Sequence, residues 1–340
     1  MRLAFRNRRV AALLLVGFSY LHIFPRYVSL QTGASKLPHN VVNVWLPLAR
    51  SVLAGGDLYV SHWDNKPPLF QFVNLFAAWT DYYVPVFLVL LATANAVTAL
   101  AIWELCRRHD SGRVGFLAAT FFLAAAPGLL GMTIDPRQFA NVLTLVAFLA
   151  GSAPLAGVAI ASAGLFSQYS VFLIPVIAWY HARNREDRVQ WFVTFCVAGL
   201  LTVLGSFLVI ALVWGVDAAM TGVRYSFFSF SEYTAKYTNM GFSAFGDPVR
   251  WTYYVYRLFT EQYVLLVAVA FGVLATISDV LGSRTSPLSR VALLSAALLS
   301  LPILIRPVPL YYFATLPFCA ILGAIGVQAA LDRQTSLFTQ

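Results

Sequence analysis

Charged side chains are scarce in this 340-residue chain, where only 11% of the residues are Asp, Glu, Lys or Arg. Soluble globular proteins carry roughly twice that share. Hydrophobic residues make up 59% of the sequence, and the mean hydropathy is +0.73. This composition excludes a water-soluble enzyme. It predicts an all-α integral membrane protein whose helices cross the bilayer many times.

Cysteine is also rare, and no cluster of metal ligands is evident. Cys106, Cys196 and Cys319 fall in or at the ends of apolar segments, at spacings unlike those of disulfides or metal sites. We expect them to be packing residues. No His, Cys or carboxylate pair has a tight ligand spacing, so any metal would have to be held between loops.

Acidic residues are outnumbered, with 14 Asp and Glu against 23 Lys and Arg. The basic residues are scattered over short loops, which argues against a nucleic-acid partner. Their distribution fits the positive-inside rule instead. The basic residues of 1–9 precede an apolar stretch that has no small-residue cleavage pattern after it, so we predict a retained anchor.

The apolar stretches predict about ten membrane segments. They lie at about 9–28, 84–106, 114–131, 137–152, 154–166, 170–182, 191–214, 261–282, 289–305 and 310–330. The stretch 154–182 could be one span, but a single crossing would move the basic run 181–188 to the outside. We therefore predict a pair of short helices with a turn at 167–169. That turn must be buried in protein, because lipid-exposed irregular backbone is costly.

This topology predicts a plasma-membrane protein with both termini in the cytoplasm and one domain over residues 1–340. Two long segments, about 29–83 and 215–260, then lie outside, together with short turns at 133–136 and 306–309. The long segments are rich in aromatic and polar residues, so we expect the functional groups there. The aromatic residues of 225–263 form either an interfacial belt or a platform for sugar rings or a polyprenyl chain.

The first outer segment carries the clearest motif. Apolar residues at helical spacing predict an amphipathic helix on the outer membrane surface, namely Val41, Val44, Trp45, Leu48 and Val52. Gly55-Gly56 predicts its end. The next turn presents the polar residues Asp57, His62, Asp64 and Lys66. A second helix, 69–79, follows Pro67-Pro68.

The order and spacing of this loop resemble the GT-C superfamily of membrane glycosyltransferases. The resemblance is especially to the family 39 type, which includes the protein mannosyltransferases and the lipid A aminoarabinose transferase. The matching residues are Ala49-Arg50, Gly56-Asp57-Leu58-Tyr59 and Lys66-Pro67-Pro68-Leu69. Weaker similarities are Asp135 in the next outer turn, the stretch 164–175, and the last outer turn from Arg306 to Pro317. The resemblance covers most of the chain at low identity.

The chain departs from the resembled enzymes at one important point. Their first outer loop contains an Asp-Glu pair whose first residue acts on the acceptor, and Val41 and Val42 stand at the matching positions here. The nearest polar residues are His39, Asn40 and Asn43. A catalytic carboxylate would therefore have to come from elsewhere.

Sugar transfer from a polyprenyl phosphate needs a general base for the acceptor hydroxyl and positive charge for the departing phosphate. The candidate catalytic residues are Asp57, Asp64 and Asp135. The candidate phosphate-binding residues are Lys66, Arg137 and Arg306. The candidate acceptor or sugar contacts are His39, Asn43, Tyr59, His62 and Gln168. Structural alternatives remain open: turn residues for Asp57 and Asp64, a helix cap for Asp135, and a backbone partner for Gln168.

The predicted function is transfer of a sugar from a polyprenyl-phosphate donor to a lipid, glycan or protein acceptor on the outer face. The resemblance implies a divalent metal, Mg²⁺ or Mn²⁺, in many relatives. The missing Asp-Glu pair leaves a second hypothesis, a catalytically silent relative or a protein that binds or transports a lipid-linked sugar. A transporter or channel would place ionisable residues inside several helices, and here the helix interiors are nearly free of charge.

Overall fold

The computed structural model describes residues 8–62, 64–127, 129, 133–228, 248–281, 286–305 and 309–338. Within these ranges the chain forms helices joined by loops and turns, and it contains no strand. The predicted all-α class is confirmed.

The helices follow one another along the described chain. They are α1 (Arg8–Leu21), α2 (Ile23–Gln31), a π-helical turn (Val41–Trp45), α3 (Leu46–Leu53), α4 (Pro68–Trp79), α5 (Tyr83–His109), α6 (Gly112–Ala125), α7 (Arg137–Leu149), α8 (Ala153–Phe166), a 3-10 helix (Gln168–Leu173), α9 (Ile174–Ala182), α10 (Arg188–Trp214), α11 (Val216–Val223), a second π-helical turn (Arg224–Phe228), α12 (Pro248–Glu261), α13 (Tyr263–Leu281), α14 (Pro287–Ile305) and α15 (Pro309–Phe338).

Five helical stretches in the described ranges are long and apolar enough to cross a membrane. They are Arg8–Gln31, Tyr83–His109, Arg188–Trp214, Tyr263–Leu281 and Tyr311–Asp332. The other predicted segments correspond to shorter apolar helices, Gly112–Ala125, Arg137–Leu149, Ala153–Phe166 and Pro287–Pro302 among them. The side of the membrane on which each loop lies stays a prediction, as does the single domain.

The short helix pair has the predicted form. α8 ends at Phe166, and the chain re-enters as the 3-10 helix Gln168–Leu173 before α9 begins. Ser167 and Ser170 are buried, with 4% and 6% of their surface exposed. Gln168 and Tyr169 between them are partly exposed, so the turn is largely covered by protein, as the cost of exposing irregular backbone to lipid requires.

The first outer segment also folds as predicted. Val41 and Leu48 are fully buried on the inner face of the helix, whereas Val42 is 50% exposed. The helix ends where Gly55 adopts a φ of +98°, a backbone conformation that suits glycine. Pro68 begins α4, since proline fits the first turn of a helix.

Two elements differ from the prediction at their ends. The first span is interrupted between α1 and α2 at His22. The last helix runs on to Phe338 rather than ending near 330, because the sequence after 330 contains no glycine or proline to stop it.

Glycines let neighbouring helices touch along their backbones. A Cβ added at Gly157 of α8 would clash with the carbonyl of Phe195 in α10, and one added at Gly272 of α13 would clash with the carbonyl of Leu322 in α15. Small residues at such crossings allow the close packing that holds helices together in lipid.

Candidate functional site

One short turn brings distant parts of the chain together at one end of the bundle. Gln168, the first residue of the 3-10 helix, donates from Nε2 to the carbonyl oxygens of Asn65 at 2.9 Å and Ser226 at 3.0 Å. These acceptors belong to the first and second long outer segments. Gln168 therefore bonds the backbone of two candidate functional loops, and its contact with an acceptor or sugar stays a prediction.

The next residue, Tyr169, contacts a second polar group, the guanidinium of Arg137. The guanidinium carbon of Arg137 lies 5.7 Å from the centre of the Tyr169 ring and 4.8 Å from that of Tyr311. The two tyrosine rings are 5.2 Å apart and nearly perpendicular. Adjacent residues of one turn therefore contact the first loop, the second long segment, the start of α7 and the start of the last helix.

Asp64 is the buried carboxylate of the first loop, with only 3% of its surface exposed. Its Oδ2 accepts a hydrogen bond from Nε2 of Gln71 on α4. Burial raises the pKa of Asp64, although Lys66, Gln71 and the amides of Asn65 and Lys66 act in the opposite direction. A carboxylate with a raised pKa holds a proton more readily than an ordinary aspartate, which suits a general base.

Tyr59 holds this loop in place. It adopts a φ of +67°, is 1% exposed, and donates from its hydroxyl to the carbonyl oxygen of Lys66 at 2.7 Å. Burial, then the charge of Asp64, raises its pKa. A Cβ added at Gly222 would lie 2.8 Å from the Tyr59 ring, so α11 packs directly against it. Tyr59 thus fixes the backbone of Lys66 from the buried side of the loop.

Asp135 and the buried Arg137 form an ion pair at the start of α7. Nη1 of Arg137 donates to Oδ1 and Oδ2 of Asp135 at 2.9 and 2.7 Å, and the Arg137 amide donates to Oδ1 at 2.9 Å. The Arg137 side chain is 5% exposed, and the Asp135 side chain is 13% exposed. Asp135 therefore caps the helix and also lies at the site, so the two interpretations of this residue are compatible.

Several buried polar atoms at this end have no hydrogen-bond partner within the described chain. They include Nδ1 of His62, Oε1 of Gln71 and Nε of Arg137. Buried polar groups are normally satisfied, so each unpartnered atom marks a place where a polar ligand would gain a hydrogen bond.

Other predicted site residues lie apart from this group. His39 and Asn43 are exposed and contact each other, with Nδ2 of Asn43 2.9 Å from Nδ1 of His39. Asp57 is exposed, and its carbonyl accepts a turn hydrogen bond from Ser61 at 3.1 Å. Arg306 lies outside the described residues.

Gln71 and Tyr311 were not among the predicted site residues. Gln71 and Asn74 are fully buried polar residues three positions apart on the otherwise apolar helix α4. Asn74 donates to the carbonyl of Trp45 at 2.7 Å and accepts from the Tyr83 hydroxyl at 2.6 Å. A polar pair on the apolar face of a helix was the available signal for Gln71. Tyr311 had no comparable signal.

The described carboxylates do not form a metal site. No group of three or more His, Cys, Asp or Glu residues that could hold a metal ion occurs in the described ranges. Asp64 is held by Gln71, Asp135 by Arg137, and Asp57 is exposed. The dependence on Mg²⁺ or Mn²⁺ stays an untested prediction.

An apolar groove of about 240 Å³ lies between α8 and α10 and reaches the 3-10 helix that contains Gln168. The residues that line it include Gly157, Gly164, Val171, Phe195, Leu200 and Phe227. Val171 is in the same 3-10 helix as Gln168, and Phe227 follows Ser226 directly. The groove therefore adjoins the polar group of the site.

No protein-family model and no curated protein matches this chain. Among solved structures, the fold is similar to that of the Archaeoglobus fulgidus oligosaccharyltransferase, whose crystal structure carries a disulfide-tethered acceptor peptide with the NVT sequon. The TM-score is 0.51 and the identity 13% over 85% of this chain. The chain spans 45% of the length of that protein. The likeness shows the fold alone, an all-α membrane helix bundle.

Proposed function

We propose that this protein is a membrane glycosyltransferase that moves a sugar from a polyprenyl-phosphate donor to a lipid, glycan or protein acceptor on the outer face of the plasma membrane. The observation that carries the proposal is the meeting of the first loop, the second long segment, α7 and the last helix around Gln168 and Tyr169. Polar groups from so many segments are costly to bury together, and a shared ligand is a reason to do so.

In the proposed reaction, the acceptor hydroxyl oxygen forms a bond to the anomeric carbon of the donor sugar. The bond between that carbon and the phosphate oxygen breaks, and polyprenyl phosphate leaves with the bonding electrons. The acceptor proton passes to the Asp64 carboxylate. Asp64 is preferred over Asp57 because burial raises its pKa, whereas Asp57 is exposed at a turn.

The donor would lie with its chain in the apolar groove and its phosphate near the turn. The groove has almost no polar surface and is walled by Gly157 and Gly164, which suits a hydrocarbon chain. Lys66 is half-buried beside Asp64, and Arg137 has an unpartnered Nε, so both can meet phosphate oxygens. Because Asp64 is only 3% exposed, the acceptor reaches it when the first loop moves.

The deciding experiment is transfer of radiolabelled sugar from polyprenyl-phosphate donors to membrane extracts by purified protein in nanodiscs. Asp64→Asn keeps the side-chain shape but removes the base, and we expect a loss of about 10²–10⁴-fold. Asp81→Asn is the matched control, because Asp81 is exposed in the same segment and has a φ of +60°, which asparagine tolerates. Full activity of a folded Asp64→Asn protein would refute the assignment.

A second variant tests the groove separately. Ala161 lines it, and Ala161→Phe would fill part of its volume. We expect a higher KM for long-chain donors with little change for a short-chain analogue. An equal effect on both donors would remove the groove from the proposal while leaving Asp64 in place.

Binding or transport of a lipid-linked sugar without transfer is the second candidate. It is favoured by Val41 and Val42 at the positions of the resembled Asp-Glu pair, and by the burial of Asp64. Saturable donor binding with no product from any acceptor, in wild type and Asp64→Asn alike, would select it.

A further inference from the structure

A cavity of about 640 Å³ lies at the end of the bundle opposite the candidate site. Arg8 begins α1, Asp110 follows α5, and Asp332 lies near the end of α15. Three of the membrane-crossing stretches, Arg8–Gln31, Tyr83–His109 and Tyr311–Asp332, thus end around it. Helices that span a bilayer end at the headgroups, so the cavity lies at the depth of lipid headgroups.

One part of the lining is basic. Arg8, Arg107 and Arg113 line the cavity, and Arg8 and Arg113 are exposed. Arg107 is held by Glu104, to which its Nε and Nη2 donate at 2.7 Å. Guanidinium groups match phosphate oxygens in geometry as well as charge. The N-terminus of α6, capped by Ser111, adds partial positive charge beside them.

The other part of the lining is acidic and aromatic. Asp110 and Asp332 both line the cavity, and Oδ1 of Asp332 accepts a hydrogen bond from Nε2 of Gln328 at 2.7 Å. Burial together with the charge of Asp332 raises the pKa of Asp110. Two carboxylates that repel each other would gain from a cation placed between them. The Trp103 indole lines the same cavity, and aromatic rings attract cations.

We propose that this cavity binds the headgroup of an ethanolamine phospholipid. Its phosphate would pair with Arg8 and Arg113, and its primary ammonium with Asp110 and Asp332. A purely anionic headgroup would bring no cation to the two carboxylates. A choline headgroup has no N–H to donate to them. The inference does not depend on the proposed transferase activity, because it concerns the other end of the bundle.

The test is native mass spectrometry of the full-length protein titrated with phosphatidylethanolamine, phosphatidylcholine or phosphatidylglycerol of identical acyl chains. We expect the ethanolamine lipid to bind at least about tenfold more tightly than the choline lipid, as one charge-assisted hydrogen bond implies. Asp110→Asn should remove that preference and leave phosphatidylglycerol binding no weaker. Arg113→Gln should weaken the ethanolamine and glycerol lipids together.

The control variant is Arg290→Gln, an exposed arginine that does not line the cavity, and it should keep the preference. If Asp110→Asn does not fold, Asp332→Asn takes its place. Equal binding of all three lipids by wild type would overturn the proposal. Soluble glycerophosphoethanolamine that binds as tightly as the lipid would overturn the lipid source.

Discussion

The two ends of this helix bundle use polar residues in opposite ways. At the candidate site, Asp64 and Arg137 are buried, and Arg137 pairs with Asp135 and lies against the Tyr311 ring, which is far away in sequence. At the other end, Glu104 pairs with Arg107 and Arg108 on its own helix, and all three remain partly exposed.

The difference shows which charges need an explanation beyond topology. Exposed pairs within one helix cost little and stabilise little, and charges at a membrane boundary are expected from the positive-inside rule. Buried charges are expensive unless they are paired and hydrogen-bonded. The burial of several polar groups at one end is therefore the stronger sign of function.

The largest effect that would sharpen this comparison is expected at Arg137. Arg137→Met leaves the mostly buried Asp135 carboxylate without its partner, and we expect a loss of about 3–5 kcal/mol of stability. Thermal unfolding in nanodiscs measures it, with the exposed Arg290→Met as control. The double variant with Asp135→Leu should regain much of the loss. A single variant as stable as wild type would show that the pair is not held in a dry environment.

The next effect concerns the pH dependence of stability. Because burial raises the pKa of Asp64, the folded state binds its proton more tightly than the unfolded state does. Stability should therefore fall as pH rises from about 3.9, the ordinary aspartate pKa, to the raised pKa, by up to about 1.4 kcal/mol per pH unit. Asp64→Asn should lack this slope. Parallel pH profiles of wild type and Asp64→Asn would contradict a raised pKa at Asp64.

A smaller effect is expected at the turn itself. Gln168→Leu removes hydrogen bonds to the carbonyls of Asn65 and Ser226, and we expect a loss of about 1–2 kcal/mol. Gln190→Leu, an exposed position on α10, is the control. Protease cleavage in the first loop should rise only in Gln168→Leu. Equal cleavage of both variants would mean that Gln168 does not restrain the loop.

The smallest effect is expected at the opposite end. Glu104→Gln breaks two exposed ion pairs, and the melting temperature should move by less than about 2 °C. Added salt should reduce even that shift, since exposed pairs are screened. A large, salt-independent shift would abolish the contrast between the two ends.

Local signals explain how much of this molecule could be predicted. Apolar runs predicted most of the membrane helices to within a few residues, and Gly55-Gly56 and Pro67-Pro68 marked helix ends in the first loop. They did not predict α11 and α12, and the last helix runs past its predicted end. The contacts of the site were beyond such signals. Gln168 lies 103 and 58 positions from the residues it joins, and nothing local pairs Arg137 with Tyr311.

The neighbouring positions of Gln168 and Tyr169 have a consequence for the order of events during turnover. Gln168 bonds Asn65, next to the proposed base Asp64, and Ser226, next to the groove proposed for the donor chain. Tyr169 contacts Arg137, a proposed partner of the donor phosphate. Because one turn contacts both sides, a shift of the turn on one side reaches the other, and thermodynamic reciprocity requires any resulting change to be the same factor for both affinities. We therefore expect donor and acceptor to bind cooperatively, and leucine at position 168 to uncouple them in paired titrations.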